Sequence, residues 1–125
     1  MNSLVGQKEA ISLVNEWAGL NMDFVAVEAE LDRRWYKKLR EEGIKPFEMY
    51  KHKAYVYSAL GCYCHMSRGF TACAIKAIHE LRKSHRVESV VDYGGGCGFT
   101  SLALRREFRD TSVWYVDVKG GASFR

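Results

Sequence analysis

Val90-Val91-Asp92-Tyr93-Gly94-Gly95-Gly96-Cys97-Gly98 is the stretch on which the fold turns. A short β-rich run, Val87 to Tyr93, reaches an acid and passes into a glycine-rich loop. A helical stretch from Phe99 to Phe108 follows, with Leu102, Leu104 and Phe108 expected to face a sheet. Asp110-Thr111-Ser112 makes a turn, and Val113-Trp114-Tyr115-Val116-Asp117-Val118 reads as a second strand. Strand, glycine loop, helix and strand form one βαβ unit, which predicts parallel strands joined by a right-handed crossover. The near-continuous apolar strands predict a sheet covered on both faces.

A glycine loop between a strand and a helix brings a ligand close to backbone, because glycine takes positive φ and has no Cβ to obstruct contact. Spacing decides which ligand. The dinucleotide fingerprint G-x-G-x-x-G, started at Gly94 and Gly96, requires glycine where Phe99 stands. The phosphate loop G-x-x-x-x-G-K-[ST] requires lysine after Gly98 and glycine at Tyr93, and has neither. The pattern present is Asp92-x-Gly94-x-Gly96-x-Gly98, with a second acid, Asp117, ending the second strand.

That pattern resembles the first motif of the class I S-adenosylmethionine-dependent methyltransferases, and Asp117 resembles their second acidic signature. The resemblance covers about residues 67–125. It implies a Rossmann-like sheet, S-adenosylmethionine as cofactor, and a cofactor site made of Asp92, Tyr93, Gly94, Gly95, Gly96, Gly98 and Asp117. By the same resemblance, Gly94, Gly96 and Gly98 let the backbone pass near the cofactor. Asp92 lies toward its amino-acid end, and Asp117 accepts hydrogen bonds from the ribose hydroxyls. The residues also admit a tight packing turn capped by Asp92, with Asp117 a coincidence. A nicotinamide or flavin nucleotide in a variant loop is a further alternative.

A complete sheet of this family has seven strands, and the sequence holds residues for two. The expectation is a fragment: an N-terminal helical region over 1–66, forming a lid or substrate-side helices, then 67–125 as the start of the cofactor domain, truncated after its second strand. On that reading the 125-residue chain is expected to be inactive alone. Otherwise the unit is a relic or is completed by a partner. Two parallel strands leave both edges open, so Val90, Val91, Val113, Trp114 and Val116 are an association hazard and a route to a homo-oligomer.

Ahead of the βαβ unit, apolar residues recur at three- and four-residue steps and predict four helices. Their stripes are Ala10, Leu13, Val14 and Trp17, then Phe24, Val27, Leu31, Trp35 and Leu39. Phe47, Tyr50, Ala54, Tyr57 and Gly61 follow, and then Ala74, Ile75, Ile78 and Leu81 on a helix from about Phe70 to Lys83. Gly43 is placed to end the second helix and Pro46 to open the third. Tyr50, Tyr55, Tyr57, Tyr63 and Phe70 are core residues that could also line a pocket for the methyl acceptor.

Other constellations read more plainly. Cys62-Tyr63-Cys64-His65 has zinc-ligand residue types, but on a helix they point apart and no second pair exists, so core thiols and no metal site are expected. His52, His65, His79 and His85 form no spaced set, and no catalytic base is assigned. The basic run Arg33 to Arg40 contains aromatics that would suit nucleic acid. Yet Trp35 and Leu39 lie on the buried stripe. Glu30 with Arg34, Lys37 with Glu41 and Lys38 with Glu42 are spaced as pairs on a solvated helix face. The net charge of +4 is too small to argue for nucleic acid by itself. No apolar run approaches the roughly 18 residues of a membrane span. Met1 to Lys8 lacks a basic segment followed by an apolar one, so a cytoplasmic location with reduced cysteines is expected.

The function expected is transfer of a methyl group from S-adenosylmethionine to a small molecule, protein or nucleic acid. The competing expectation is a non-catalytic helical interaction or oligomerisation module carrying a degenerate Rossmann half.

Overall fold

The structure, a computed structural model, describes residues 3–21, 23, 37, 41–43, 48 and 53–117. It is a mixed helix-and-strand fold compatible with the α/β class, with a small two-stranded parallel sheet. Its elements are α1 (Gln7–Ala18), α2 (Lys53–Cys62), a π-helical turn (Tyr63–Ser67), α3 (Arg68–Arg82), β1 (Ser89–Tyr93), α4 (Phe99–Glu107) and β2 (Ser112–Val116). The second predicted helix and the start of the third lie outside the described residues. Of their signals, Gly43 has the expected positive φ, 61°, and Lys37 reaches Glu41 at 3.9 Å.

Helix α1 buries Ala10 and Val14, one turn apart, and half-buries Ile11 and Leu13. It ends at a glycine. Gly19 turns left-handed at φ 62°, and Leu20 N–H donates to Asn15 O at 3.0 Å. The helices drawn separately around Gly61 and Phe70 are instead one continuous helical run from 53 to 82, with the π turn inside it. The extra residue per turn re-aims the side chains. Tyr63 and Cys64 face inward there, and the Tyr63 hydroxyl donates to Val5 O at 2.7 Å. The boundary drawn at 66/67 therefore falls within this turn.

Two apolar clusters hold the elements together. Val5, Ala10, Val14, Val56, Leu60, Tyr63 and Cys64 gather around Phe99, the first residue of α4. Tyr63 lies against the Phe99 ring at 4.6 Å between centroids, and the half-exposed Trp17 stacks on it at 5.9 Å. The second cluster joins Ile75 of α3 with Ala103, Leu104 and Phe108 of α4 and just beyond, and meets the sheet at Val90 and Val113. Leu81, expected inward, is 47% exposed. The last turn of α3 brings Arg82 over the Phe108 ring instead, with Cζ 5.4 Å from its centroid.

Strands β1 and β2 pair in parallel, Val90 opposite Val113 and Asp92 opposite Tyr115. Burial alternates along both. This corrects the expectation of a sheet covered on both faces. Among the described residues, helices cover the face of Val90, Asp92, Val113 and Tyr115. Val91, Tyr93, Trp114 and Val116 stay exposed, Trp114 at 63%.

Phe108 is 1% exposed and centres the second cluster. Phe108→Ala is expected to lower unfolding stability by about 3–5 kcal/mol in urea titration; a loss below about 1 kcal/mol would remove Phe108 from the core. Two surface carboxylates add a pH dependence. Arg106 binds Glu9 through Nη2 and Nη1, at 2.5 and 3.3 Å, and His79 meets Glu107 at 2.7 Å. These hydrogen bonds hold both carboxyls below their ordinary value of 4.5. A lowered folded-state value means stability that is complete above about 4.5 and lost as pH falls through the lower value. Both pairs are solvent-screened, so each effect is expected to stay under about 1 kcal/mol. Urea midpoints should fall from pH 5 to pH 3, less steeply in Glu9→Gln; an identical slope in that variant would assign the acid limb elsewhere.

Candidate functional site

The site begins at the carboxyl ends of two adjacent parallel strands, where open α/β sheets place their ligands. Gly94, Gly96 and Gly98 all take positive φ, at 70°, 55° and 81°. Only glycine adopts that region without penalty, so the three glycines of the spaced pattern are those the backbone requires. Gly95 needs glycine for a different reason. A methyl group there would lie 2.6 Å from Tyr115 Cε2 and 2.9 Å from Asp92 Oδ2. Packing from below, rather than ligand approach from outside, explains this position.

The loop is tied down from β2. Gly94 and Gly95 N–H both donate to Val116 O, at 2.7 and 3.1 Å, and Gly98 N–H donates to Gly95 O at 2.9 Å. Gly96 N–H donates to Asp117 Oδ2 at 2.7 Å. The two sequence signatures, the glycine loop and the second acid, thus meet in one hydrogen bond. Asp92 Oδ2 accepts from Ser101 Oγ at 2.6 Å, which braces the end of β1 against the first turn of α4. This partner belongs to α4 and not to the loop. Thr71 and Thr100 hydroxyls, 2.7 Å apart, join α3 to the same turn of α4.

Tyr115 is the residue that sequence reasoning missed. Period-two alternation places it beside Asp92 under the loop, but nothing in the sequence names its hydroxyl partners. Its ring lies beneath Gly95 and near Gly98. Its hydroxyl donates to Gly96 O and lies 3.3 Å from Asp117 Oδ2. Burial and the negative charge of Asp117 push the phenol well above its ordinary value. Burial, with Asp117 adding to it, also pushes the Cys97 thiol up to about 12, so this loop cysteine is a neutral packing group at ordinary pH.

The structure brings Asp92, Gly94, Gly95, Gly96, Gly98 and Asp117 together. Tyr93 stands apart: it is 86% exposed, on the uncovered face of the sheet, opposite Asp92 and Tyr115. Of the proposed pocket aromatics, Tyr63 is committed to the core and Phe70 is exposed; the side chains of Tyr50, Tyr55 and Tyr57 lie outside the described residues. Cys62 and His65 are exposed whereas Cys64 is buried, and no group of three or more His, Cys, Asp or Glu able to hold a metal occurs among the described residues. His79 is engaged with Glu107, and the basic run 33–40 lies outside the described residues apart from Lys37. Two open grooves, one between Arg82 and Asp110 and one along Arg105, Arg109 and Trp114, contain no loop residue. No described helix is long and apolar enough to cross a membrane.

Comparison of the chain with protein-family models, curated proteins and solved structures found no match in any of the three.

Gly95→Ala is expected to destabilise the fold by about 1–3 kcal/mol, as overpacking does. The penalty should shrink by at least about 1 kcal/mol in a Tyr115→Ala background, because contacting residues are not additive. Strict additivity in the double-mutant cycle would take the Tyr115 ring out from under Gly95.

Proposed function

We propose that residues 89–117 form the opening βαβ unit of a Rossmann-like fold that binds S-adenosylmethionine, and that the chain serves methyl transfer. The observation that carries this reading is the Asp117 carboxylate at the glycine loop, in hydrogen bond with Gly96 N–H at 2.7 Å. An acid there suits a ribose diol, since a carboxylate accepts strong hydrogen bonds and donates none. Asp92 at the end of β1, just before the loop, suits a cation, such as the ammonium and sulfonium of this cofactor.

The chemistry of the loop disfavours phosphates. Anion-binding loops present unpaired N–H groups. Here Gly94, Gly95, Gly96 and Gly98 give theirs to Val116 O, Asp117 and Gly95 O. Two carboxylates at the loop would also repel a pyrophosphate. These points support S-adenosylmethionine over a nicotinamide or flavin nucleotide.

When bound, the cofactor supplies an electrophilic methyl group on sulfur. The chain's part is to fix the cofactor so that the acceptor approaches in line, an orientation effect. Asp117 would hold the ribose, Asp92 the amino-acid end or the loop itself, and Gly94, Gly96 and Gly98 the close backbone surface. The acceptor class stays open among small molecule, protein and nucleic acid, and no residue is assigned as base.

The uncovered face of Val91, Tyr93, Trp114 and Val116 favours a second reading, a helical interaction module that associates through its sheet. Calorimetric titration separates the two. S-adenosylhomocysteine is expected to bind, and NAD is not. Asp117→Ala should weaken binding about ten- to hundredfold, the value of one charged hydrogen bond or slightly more. Unchanged affinity in the variant would remove Asp117 from the site. No binding by the wild type, with a stable oligomer in light scattering, would favour the module.

A further inference from the structure

Three oxygens meet at the end of β2: the Tyr115 hydroxyl, the Gly96 carbonyl and Asp117 Oδ2. The hydroxyl reaches both of the others, donating to Gly96 O and lying 3.3 Å from Asp117. Asp117 in turn accepts from the N–H of the same Gly96 at 2.7 Å. One residue of the loop is therefore held on its amide side by Asp117 and on its carbonyl side by Tyr115. The ring that carries the hydroxyl fills the space under Gly95, so the phenol cannot move without moving the loop. Asp117 follows β2 directly, two residues after Tyr115, whose side chain lies on the helix-covered side of the sheet.

We infer that Tyr115 is the positioning residue of this site: its hydroxyl sets where the Asp117 carboxylate stands relative to the glycine loop, and so sets selectivity for a ribose diol. The inference rests on the proposed cofactor reading for its ligand, but not for its geometry. A carboxylate with free rotation about its side-chain bonds meets a diol in many orientations, most of them unproductive. Held by Gly96 N–H and bordered by the phenol, it keeps one orientation, and the ordering is completed on folding rather than on binding. The phenol suits this task because it stays protonated. A tyrosinate beside Asp117 would repel it, and burial together with that charge opposes ionisation. Phenylalanine would keep the ring beneath Gly95 and lose only the tie. The residue acts through Asp117 and needs no contact with the reacting atoms.

Tyr115→Phe tests this in two arms. The first needs no ligand: amide hydrogen exchange at Gly96, whose N–H depends on Asp117, should speed up at least tenfold. Exchange at Ile75 and Leu104 in the helical core should keep its wild-type rate. The second arm measures the affinity ratio of S-adenosylhomocysteine to its 2′-deoxyribose analogue. The wild type should prefer the ribose form about tenfold or more, and the variant should lose at least two thirds of that preference. A role in packing alone would weaken both ligands equally and leave the ratio intact, which would overturn the inference. An unchanged Gly96 exchange rate would overturn it whatever the ligand does. Faster Gly96 exchange in a protein that binds neither ligand would uphold the positioning of Asp117 and defeat the cofactor reading, so the two failures are distinct.

Discussion

Asp117 receiving the amide proton of Gly96 is the contact on which the rest of the site depends. A loop with glycine at 94, 95, 96 and 98 has more conformational freedom to lose than a loop of ordinary residues, and folding must offset that loss. Its own backbone bonds are few. The opposing strand supplies the remainder: Val116 O takes two amide protons, Asp117 a third, and the Tyr115 ring fills the floor. Parallel pairing makes this possible, because it puts the carboxyl end of β2 beside the carboxyl end of β1. An antiparallel partner would place its amino end there.

The exit from the loop is held from the other side. Phe99 is both the first residue of α4 and the centre of a cluster built by α1, α2 and the π turn. Those N-terminal segments and the glycine loop therefore share one packing problem, and the Glu9–Arg106 pair closes the same seam at the surface. The described residues of α1, α2 and the π turn act here as part of the loop's foundation, whatever else they do. Deleting them would expose Phe99 and release the start of α4, where Ser101 braces Asp92.

The parts legible in the sequence are those governed by periodicity or by a strict backbone requirement. Ala10 and Val14 follow from a 3.6-residue repeat, and Gly94, Gly96 and Gly98 from spacing that turns out to match three positive φ values. What was not legible depends on partners distant in sequence. The π turn has no local signature in Cys62-Tyr63-Cys64-His65; it follows from the side chains it must aim, Tyr63 toward Val5 and Phe99. Gly95 looked like its neighbours, yet it is constrained by an aromatic ring from another strand. Tyr115 read as one more β-forming residue, since strand propensity carries no information about where a hydroxyl ends. The one-sided sheet was misread because the exposed positions, Val91, Tyr93, Trp114 and Val116, are as apolar as the covered ones. Covering is a property of tertiary neighbours, and composition cannot report it.

That one-sidedness bears on how the two functional readings relate. In a strand the side chains alternate strictly, so the two faces of β1 and β2 carry separate sets of residues. Asp92 and Tyr115 lie with the helices, and Asp117 follows the same alternation; Val91, Tyr93, Trp114 and Val116 lie on the other side. Whatever comes to cover the apolar face would touch none of the side chains that tie the loop; Val116 contributes to the loop only through its backbone carbonyl. The proposed cofactor binding and the proposed association through the sheet thus rest on separate side chains, and each can be tested by substitutions that leave the other's side chains untouched. The link that remains is indirect: covering the open face would remove apolar surface from water and stiffen β2, and with it the backbone that presents Val116 O to the loop. Association would then favour an ordered loop, so the two proposals, a cofactor site and an interaction module, concern two faces of one sheet and do not exclude each other.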